Sequence, residues 1–262
     1  MSWWQGLLLG LLQGVTEFLP VSSSGHLALA QMMLPGFEQP GVVFDAMLHV
    51  GTAMAVVWAE RRELVRWLTT PQGLRLLGLL VLGTAATAVV AFPLRDLAAS
   101  AFDSAVWVGG ALLVTAAVVG ATARMRGGQR AEATTEWRQA VAVGLVQGLA
   151  VFPGLSRSGS TIAAGLVSGL DRAWAARFSF LLSVPAILGV TVVELITQRE
   201  ALLAAGDGFW LACGIGAVAA AVSGVVALRL VIRTVSSRVF HRFAWYCLPL
   251  GLLVLTVSWV TS

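Results

Sequence analysis

The chain has 262 residues, of which 58% are hydrophobic and 11% charged, with a mean hydropathy of +0.85. A soluble domain carries about 25% charged residues, so a surface wetted all round is excluded and the bilayer is the expected solvent. The net charge is +4, every basic side chain is an arginine, and these lie in short segments between apolar runs. That placement points to membrane topology rather than nucleic-acid binding, which no basic run interleaved with aromatics supports.

The N-terminus lacks the basic leader of a cleavable signal, so residues 1–262 are read as the mature chain. The first apolar stretch, 3–34, is broken near its middle by Pro20-Val21-Ser22-Ser23-Ser24-Gly25-His26. Full spans are expected at 42–59, 75–93 and 105–123, each long enough to cross a bilayer at about 1.5 Å per residue. A second broken stretch, 139–170, is interrupted by Pro153-Gly154-Leu155-Ser156-Arg157-Ser158-Gly159-Ser160, and spans at 177–196, 209–229 and 243–260 follow. A polar break inside a membrane segment is tolerated only where it packs in protein or lines a wet cavity. Each broken stretch therefore reads as a re-entrant helix–loop–helix hairpin. Cys213 and Cys247 lie in apolar runs with no metal-binding spacing and read as small buried hydrophobes.

The two broken stretches match each other. A shift of 134 residues places Gly10, Leu11, Gln13, Gly14, Phe18, Ser22, Ser24 and Gly25 on identical residues, as an internal repeat would. One hairpin plus three spans is an odd number of crossings, so the second copy is inverted and the hairpins enter from opposite faces. The expected fold is an all-α polytopic membrane protein with six transmembrane helices, two re-entrant hairpins and inverted-topology repeats. It forms a single integral membrane domain over 1–262, with repeat 1 at about 1–123, repeat 2 at about 137–262 and a cytoplasmic linker at 124–136. Paired interrupted helices in such repeats point to a ligand site where the repeats meet.

Segments 60–75, 124–138 and 229–242 hold twelve arginines, whereas 94–104 and 197–208 hold only Arg95 and Arg199. The arginine-rich side is expected to be cytoplasmic, which places both termini and the first hairpin on the outer face. The ten tryptophans fall near span ends, as interface anchors do.

Ionisable residues within the membrane are functional candidates; here they are Glu17, His26, Asp45, His49, Arg157 and Glu194. Gln13 and Glu17 are four apart and share a helix face. Ser22-Ser23-Ser24-Gly25-His26 opens one half-helix, and Ser156-Arg157-Ser158-Gly159-Ser160-Thr161 opens the other. Helix N-termini with exposed N–H groups receive anions, and arginine suits bidentate phosphate contact. Two such termini and a guanidinium facing a carboxylate and a histidine suit phosphoryl transfer. Asp45 and His49, also four apart, read either as cavity lining or as interhelical hydrogen bonding. Glu194, near a span end, reads as a paired surface residue.

The run Gln13-Gly-Val-Thr-Glu17-Phe-Leu-Pro-Val-Ser-Ser-Ser-Gly-His26 resembles the first signature of the undecaprenyl-diphosphatase family, and Pro153-Gly-Leu-Ser-Arg157-Ser-Gly-Ser-Thr161 resembles its second. Phe44 to Thr52 and Phe178 to Pro185 are also similar to family segments, so the resemblance covers essentially the whole chain. It implies hydrolysis of undecaprenyl diphosphate to the monophosphate and inorganic phosphate, recycling a lipid carrier for peptidoglycan synthesis and conferring bacitracin resistance. It also implies a bacterial inner-membrane location with the site facing the periplasm.

Carried over residue by residue, the resemblance makes Glu17 the essential carboxylate, as base or metal ligand. It leaves Ser23 and His26 as competing nucleophiles, with proton transfer as the other use of His26, and makes Arg157 the phosphate clamp. Gln13, Ser22, Ser24, Gly25, Ser156, Ser158, Gly159 and Thr161 become substrate contacts. It further implies a divalent cation, Mg2+ or Ca2+. Position 13 holds Gln where many members hold Glu, which weakens a two-carboxylate metal site and leaves the cation to Glu17 and the diphosphate. Expected partners are the polyprenyl diphosphate, membrane lipids and a second copy in a homodimer, with no nucleic acid. A lipid-phosphate transporter or flippase is the alternative, since inverted broken helices also build transporters. A type-2 lipid phosphatase is set aside because its first motif needs a lysine and this chain has none.

Overall fold

The computed structural model describes residues 1–35, 42–102, 104–203 and 205–261. Residues 36–41, residues 103 and 204 of the two arginine-poor loops, and residue 262 lie outside the described residues. The regular structure of the described residues is helical: α1 (Trp3–Phe18), α2 (Ser23–Met33), α3 (Val42–Thr69), α4 (Pro71–Phe102), α5 (Ala105–Ala121), α6 (Trp137–Leu149), α7 (Arg157–Val167), α8 (Arg172–Thr197), α9 (Arg199–Leu203), α10 (Asp207–Ser236) and α11 (Ala244–Thr261). Short 3₁₀ turns lie at Glu132–Thr134 and Phe240–Phe243.

Among the described residues five helical stretches are long and apolar enough to cross a membrane: α3, α4, α8, α10, and Phe240–Val260, which holds nearly all of α11. The span expected at 105–123 is α5, whose 17 residues reach about 25 Å, against a hydrocarbon core of about 30 Å. α11 matches its expected span to within one residue at each end, whereas α3, α4, α8 and α10 outrun their apolar windows. α3 was expected to end at 59 but continues to Thr69, and α10 was expected to end at 229 but continues to Ser236. These extra turns carry arginines that backbone hydrogen bonding accommodates as readily as leucine.

Both broken stretches fold as helix–break–helix. Pro20 disfavours helical geometry at the residue before it, and Leu19 is extended (φ −67°, ψ 144°), ending α1. In the second stretch Gly154 supplies a φ of +91° that a side chain would resist. Ser156 then caps α7, its Oγ accepting the Gly159 N–H at 3.1 Å.

The two broken stretches pack by exchange. α1 lies along α10 and α6 along α4, in each case with residue numbers rising together along the contact. A Cβ on Gly10 would fall 2.2 Å from the Gly216 carbonyl oxygen, and one on Gly144 would fall 2.2 Å from that of Gly83. Gly10 and Gly144 are partners under the 134-residue shift, so each broken stretch seats its first helix on the other half of the chain. Small residues let the backbones approach this closely. α3 and α8 pack on each other, as do α5 and α11.

The arginine-rich ends gather at one end of the bundle. Glu132 accepts Arg66 Nη2 (2.5 Å) and Trp67 Nε1 (2.7 Å), and Arg75 donates to the Ala133 and Thr135 carbonyls. Arg172 donates to the Thr122, Met125 and Val235 carbonyls, and Arg177 forks onto the buried Glu60. The segment expected as a linker, 124–136, is thus an ordered clasp between α3, α4 and α8.

Candidate active site

The two breaks touch. Gly154 N–H donates to Ser22 Oγ at 3.1 Å, Ser158 Oγ donates to the Leu19 carbonyl at 3.2 Å, and a Cβ on Gly159 would fall 3.1 Å from Pro20. Tip-to-tip contact brings the first residue of α2, Ser23, and the first residue of α7, Arg157, to the end of α1, where Glu17 lies. Ser23 and Arg157 are themselves partners under the 134-residue shift.

Glu17 is buried and organises the cluster. Its Oε2 accepts Ser23 Oγ at 2.6 Å and Gln13 Nε2 at 2.9 Å, and lies 3.4 Å from His49 Nδ1. Its Oε1 accepts Arg157 Nη2 at 2.5 Å. Gln13 Nε2 also meets His49 Nδ1 at 2.8 Å, joining α1 to α3. Two buried polar atoms here, Arg157 Nη1 and Gln13 Oε1, have no hydrogen-bond partner among the described residues. A buried donor left unpaired is costly, so Nη1 is a place where an anion's oxygen gains most.

The other expected site residues fall into separate groups. Ser22, Ser24, Gly25, Ser156, Ser158 and Gly159 build the contact between the breaks: Ser22 Oγ meets Ser24 Oγ at 3.4 Å, and Ser156 Oγ meets Ser158 Oγ at 3.2 Å. Thr161 faces α8, its Oγ1 sharing a hydrogen bond with Ser179 (2.5 Å) and donating to the Arg157 carbonyl (2.7 Å). His26 turns toward α11, its two ring nitrogens meeting the Ser22 carbonyl and Tyr246 Oη. Asp45 accepts Gln31 Nε2 at 2.7 Å, and Glu194 accepts Nε2 of Gln198, the C-cap residue of its own helix, at 2.9 Å. Of the pair left open in the sequence, His49 enters the cluster. Its one sequence signal was an ionisable pair four residues apart inside an apolar span.

Among the described residues no group of three or more His, Cys, Asp or Glu is placed to hold a metal ion. Beside Glu17, which accepts from Arg157, Ser23 and Gln13, Gln13 Oε1 is a buried oxygen without a hydrogen-bond partner among the described residues. An amide oxygen beside a single carboxylate would fit a hard cation such as Mg2+ only if phosphate and water supplied its remaining ligands.

A multi-helix membrane protein with a serine on a buried carboxylate and a half-free guanidinium across from it belongs to the class of membrane-embedded phosphate-handling proteins. The chain belongs to the family described as bacitracin resistance protein BacA, which matches residues 6–253. It is 41% identical over 98% of its length to the whole of a protein named undecaprenyl-diphosphatase from Syntrophotalea carbinolica. A protein of the same name from Desulfosudis oleivorans is 42% identical over 94% of this chain and 95% of its own. A third, from Desulfatibacillum aliphaticivorans, is 37% identical over 99% of this chain and all of its own.

Proposed function

We propose that the chain removes the terminal phosphate of undecaprenyl diphosphate, releasing undecaprenyl phosphate and inorganic phosphate. The observation that carries this reading is Ser23 Oγ at 2.6 Å from Glu17 Oε2, with Arg157 on the other carboxylate oxygen and its Nη1 unpaired. Ser23 attacks the terminal phosphorus and passes its proton to Glu17 as the bridging P–O bond breaks and the lipid monophosphate leaves. Water then cleaves the serine ester, releasing phosphate and restoring the hydroxyl. Arg157 and the N-termini of α2 and α7 offset the charge spread over the equatorial oxygens. The reading of Ser23, rather than His26, as nucleophile is supported by their partners: the serine meets a carboxylate, while both imidazole nitrogens are already engaged.

A divalent cation, when bound, neutralises diphosphate charge; Gln13 Oε1 is its protein ligand in this proposal, and the other ligands come from substrate and water. The two halves are read as inverted repeats with re-entrant hairpins, on the strength of the exchanged α1–α10 and α6–α4 packing. The arginine-rich end is read as cytoplasmic and the membrane as the bacterial inner membrane, with the site open to the periplasm.

The test is inorganic phosphate release from undecaprenyl diphosphate by purified protein in detergent, with and without a chelator, and with Arg157→Ala as control. Release that depends on Arg157 is expected. No release from folded wild-type protein, or full release by the Arg157→Ala variant, overturns the reading.

A further inference from the structure

His26 and the first turn of α11 grip the first break from two sides. His26 Nδ1 lies 2.8 Å from the Ser22 carbonyl oxygen, and the His26 backbone N–H donates to that same oxygen at 3.2 Å. His26 Nε2 lies 2.7 Å from Tyr246 Oη, and the two rings stack at 18° with centroids 5.7 Å apart. The neighbouring Cys247 donates its thiol to the Pro20 carbonyl at 3.2 Å. Tyr246 is the chain's only tyrosine.

A carbonyl oxygen only accepts, so Nδ1 carries the proton in the neutral ring; Nε2 is then an acceptor and Tyr246 the donor. What this chain of hydrogen bonds holds is Ser22, at φ 68° and ψ 91°. A residue with a β-carbon adopts such a conformation only where its surroundings over-determine it. Three contacts do so here: the two His26 donors on the carbonyl and the Gly154 N–H on Oγ. The next residue is Ser23, whose hydroxyl meets Glu17.

We propose that Tyr246 is a positioning residue, which fixes the His26 ring on the Ser22 carbonyl and so holds the strained turn that presents Ser23. His26 then acts through the backbone rather than as nucleophile or proton carrier. The inference rests on the reading of Ser23 as the attacking group, and it makes two demands. The imidazole must donate a hydrogen bond from its δ position, and Tyr246 must act only through it.

Asparagine places an amide nitrogen where Nδ1 lies but cannot relay a proton. The kcat and KM of phosphate release are therefore compared for wild type, His26→Ala, His26→Asn, Tyr246→Phe and the double variant carrying His26→Asn and Tyr246→Phe. Recovery of about tenfold in kcat by His26→Asn over His26→Ala is expected, the worth of one restored hydrogen bond to a strained carbonyl. Tyr246→Phe lowers kcat with KM unchanged, and adds nothing in the double variant. His26→Asn as inactive as His26→Ala, or additive losses in the double variant, overturns the proposal.

Nitrogen-15 NMR of histidine-labelled protein reads the tautomer without turnover, with His26 assigned from the signal lost in His26→Asn. The Nδ1–H form is expected and the Nε2–H form overturns the proposal. Absence of turnover in wild type counts against the phosphatase reading, while the tautomer still decides this one.

Discussion

Glu17 is held by Ser23, Gln13 and Arg157 at once, so its replacement acts on chemistry and on stability by separate routes. Glu17→Gln keeps the shape but removes the proton acceptor for Ser23, and kcat is expected to fall by about 10²- to 10⁴-fold. It also strands a largely buried guanidinium, at a cost of about 3–5 kcal/mol, which a lower melting temperature in detergent measures. Unchanged stability would mean that Arg157 finds another partner. His49→Ala removes a contact to Gln13 and Glu17 without touching nucleophile or clamp. Its loss is expected to be smaller, about 10- to 100-fold in kcat, as for one hydrogen bond to a charged group. Glu17 and Arg157 were legible as candidates because an ionisable side chain beside or within a polar break stands out in an apolar run, whereas Ser23 was marked only by the family motif, in competition with His26. His49 was legible only as an open alternative, cavity lining or interhelical hydrogen bonding, because it meets Gln13 across 36 positions from inside an unbroken helix. Thr161 was placed with the phosphate contacts by its position in the motif. In the structure it lies one turn into α7, on the face turned to Ser179.

At the scale of helices, the breaks were readable from proline, glycine and serine, while helix lengths were not. Hydropathy marks where lipid ends, and hydrogen bonding carries α3 and α10 past that point into their arginine-rich turns. The pairing of helices was also hidden, because an apolar run does not say which neighbour it chooses. Its trace was the glycines, whose meaning appears only once α6 lies on α4. Gly144→Ala puts a Cβ 2.2 Å from the Gly83 carbonyl oxygen, a backbone atom with little room to yield. A loss of about 1–3 kcal/mol is expected, measured as a lower melting temperature in detergent. Gly78→Ala in α4 is the matched control. Nothing lies within 4 Å of its Cβ position, and the gain in helix propensity of about 1 kcal/mol should leave the protein equal or more stable. Equal effects at both positions would show that the α4–α6 approach does not limit stability.

Across the whole molecule, helix direction and arginine placement make one prediction together. α1 runs with α10 and α6 runs with α4. α10 ends, and α4 begins, at the end where Arg66, Arg75, Arg172 and the 124–136 clasp meet. α1 therefore starts from the arginine-poor end and α6 from the arginine-rich end. If lysine and arginine bias sets topology, the clasp faces the cytoplasm and the Met1 end faces outward. Cys213 and Cys247 are buried, so a membrane-impermeant maleimide should find little background in the native chain. Ala133→Cys lies on the exposed side of the clasp and Ser100→Cys is exposed near the far end of α4. In intact cells Ser100→Cys should label at once, and Ala133→Cys only after the membrane is opened. The reverse pattern would turn the molecule over and move the Ser23–Glu17–Arg157 cluster's access to the cytoplasmic face. Labelling of both from outside would break the link between arginine placement and topology on which the periplasmic reading rests.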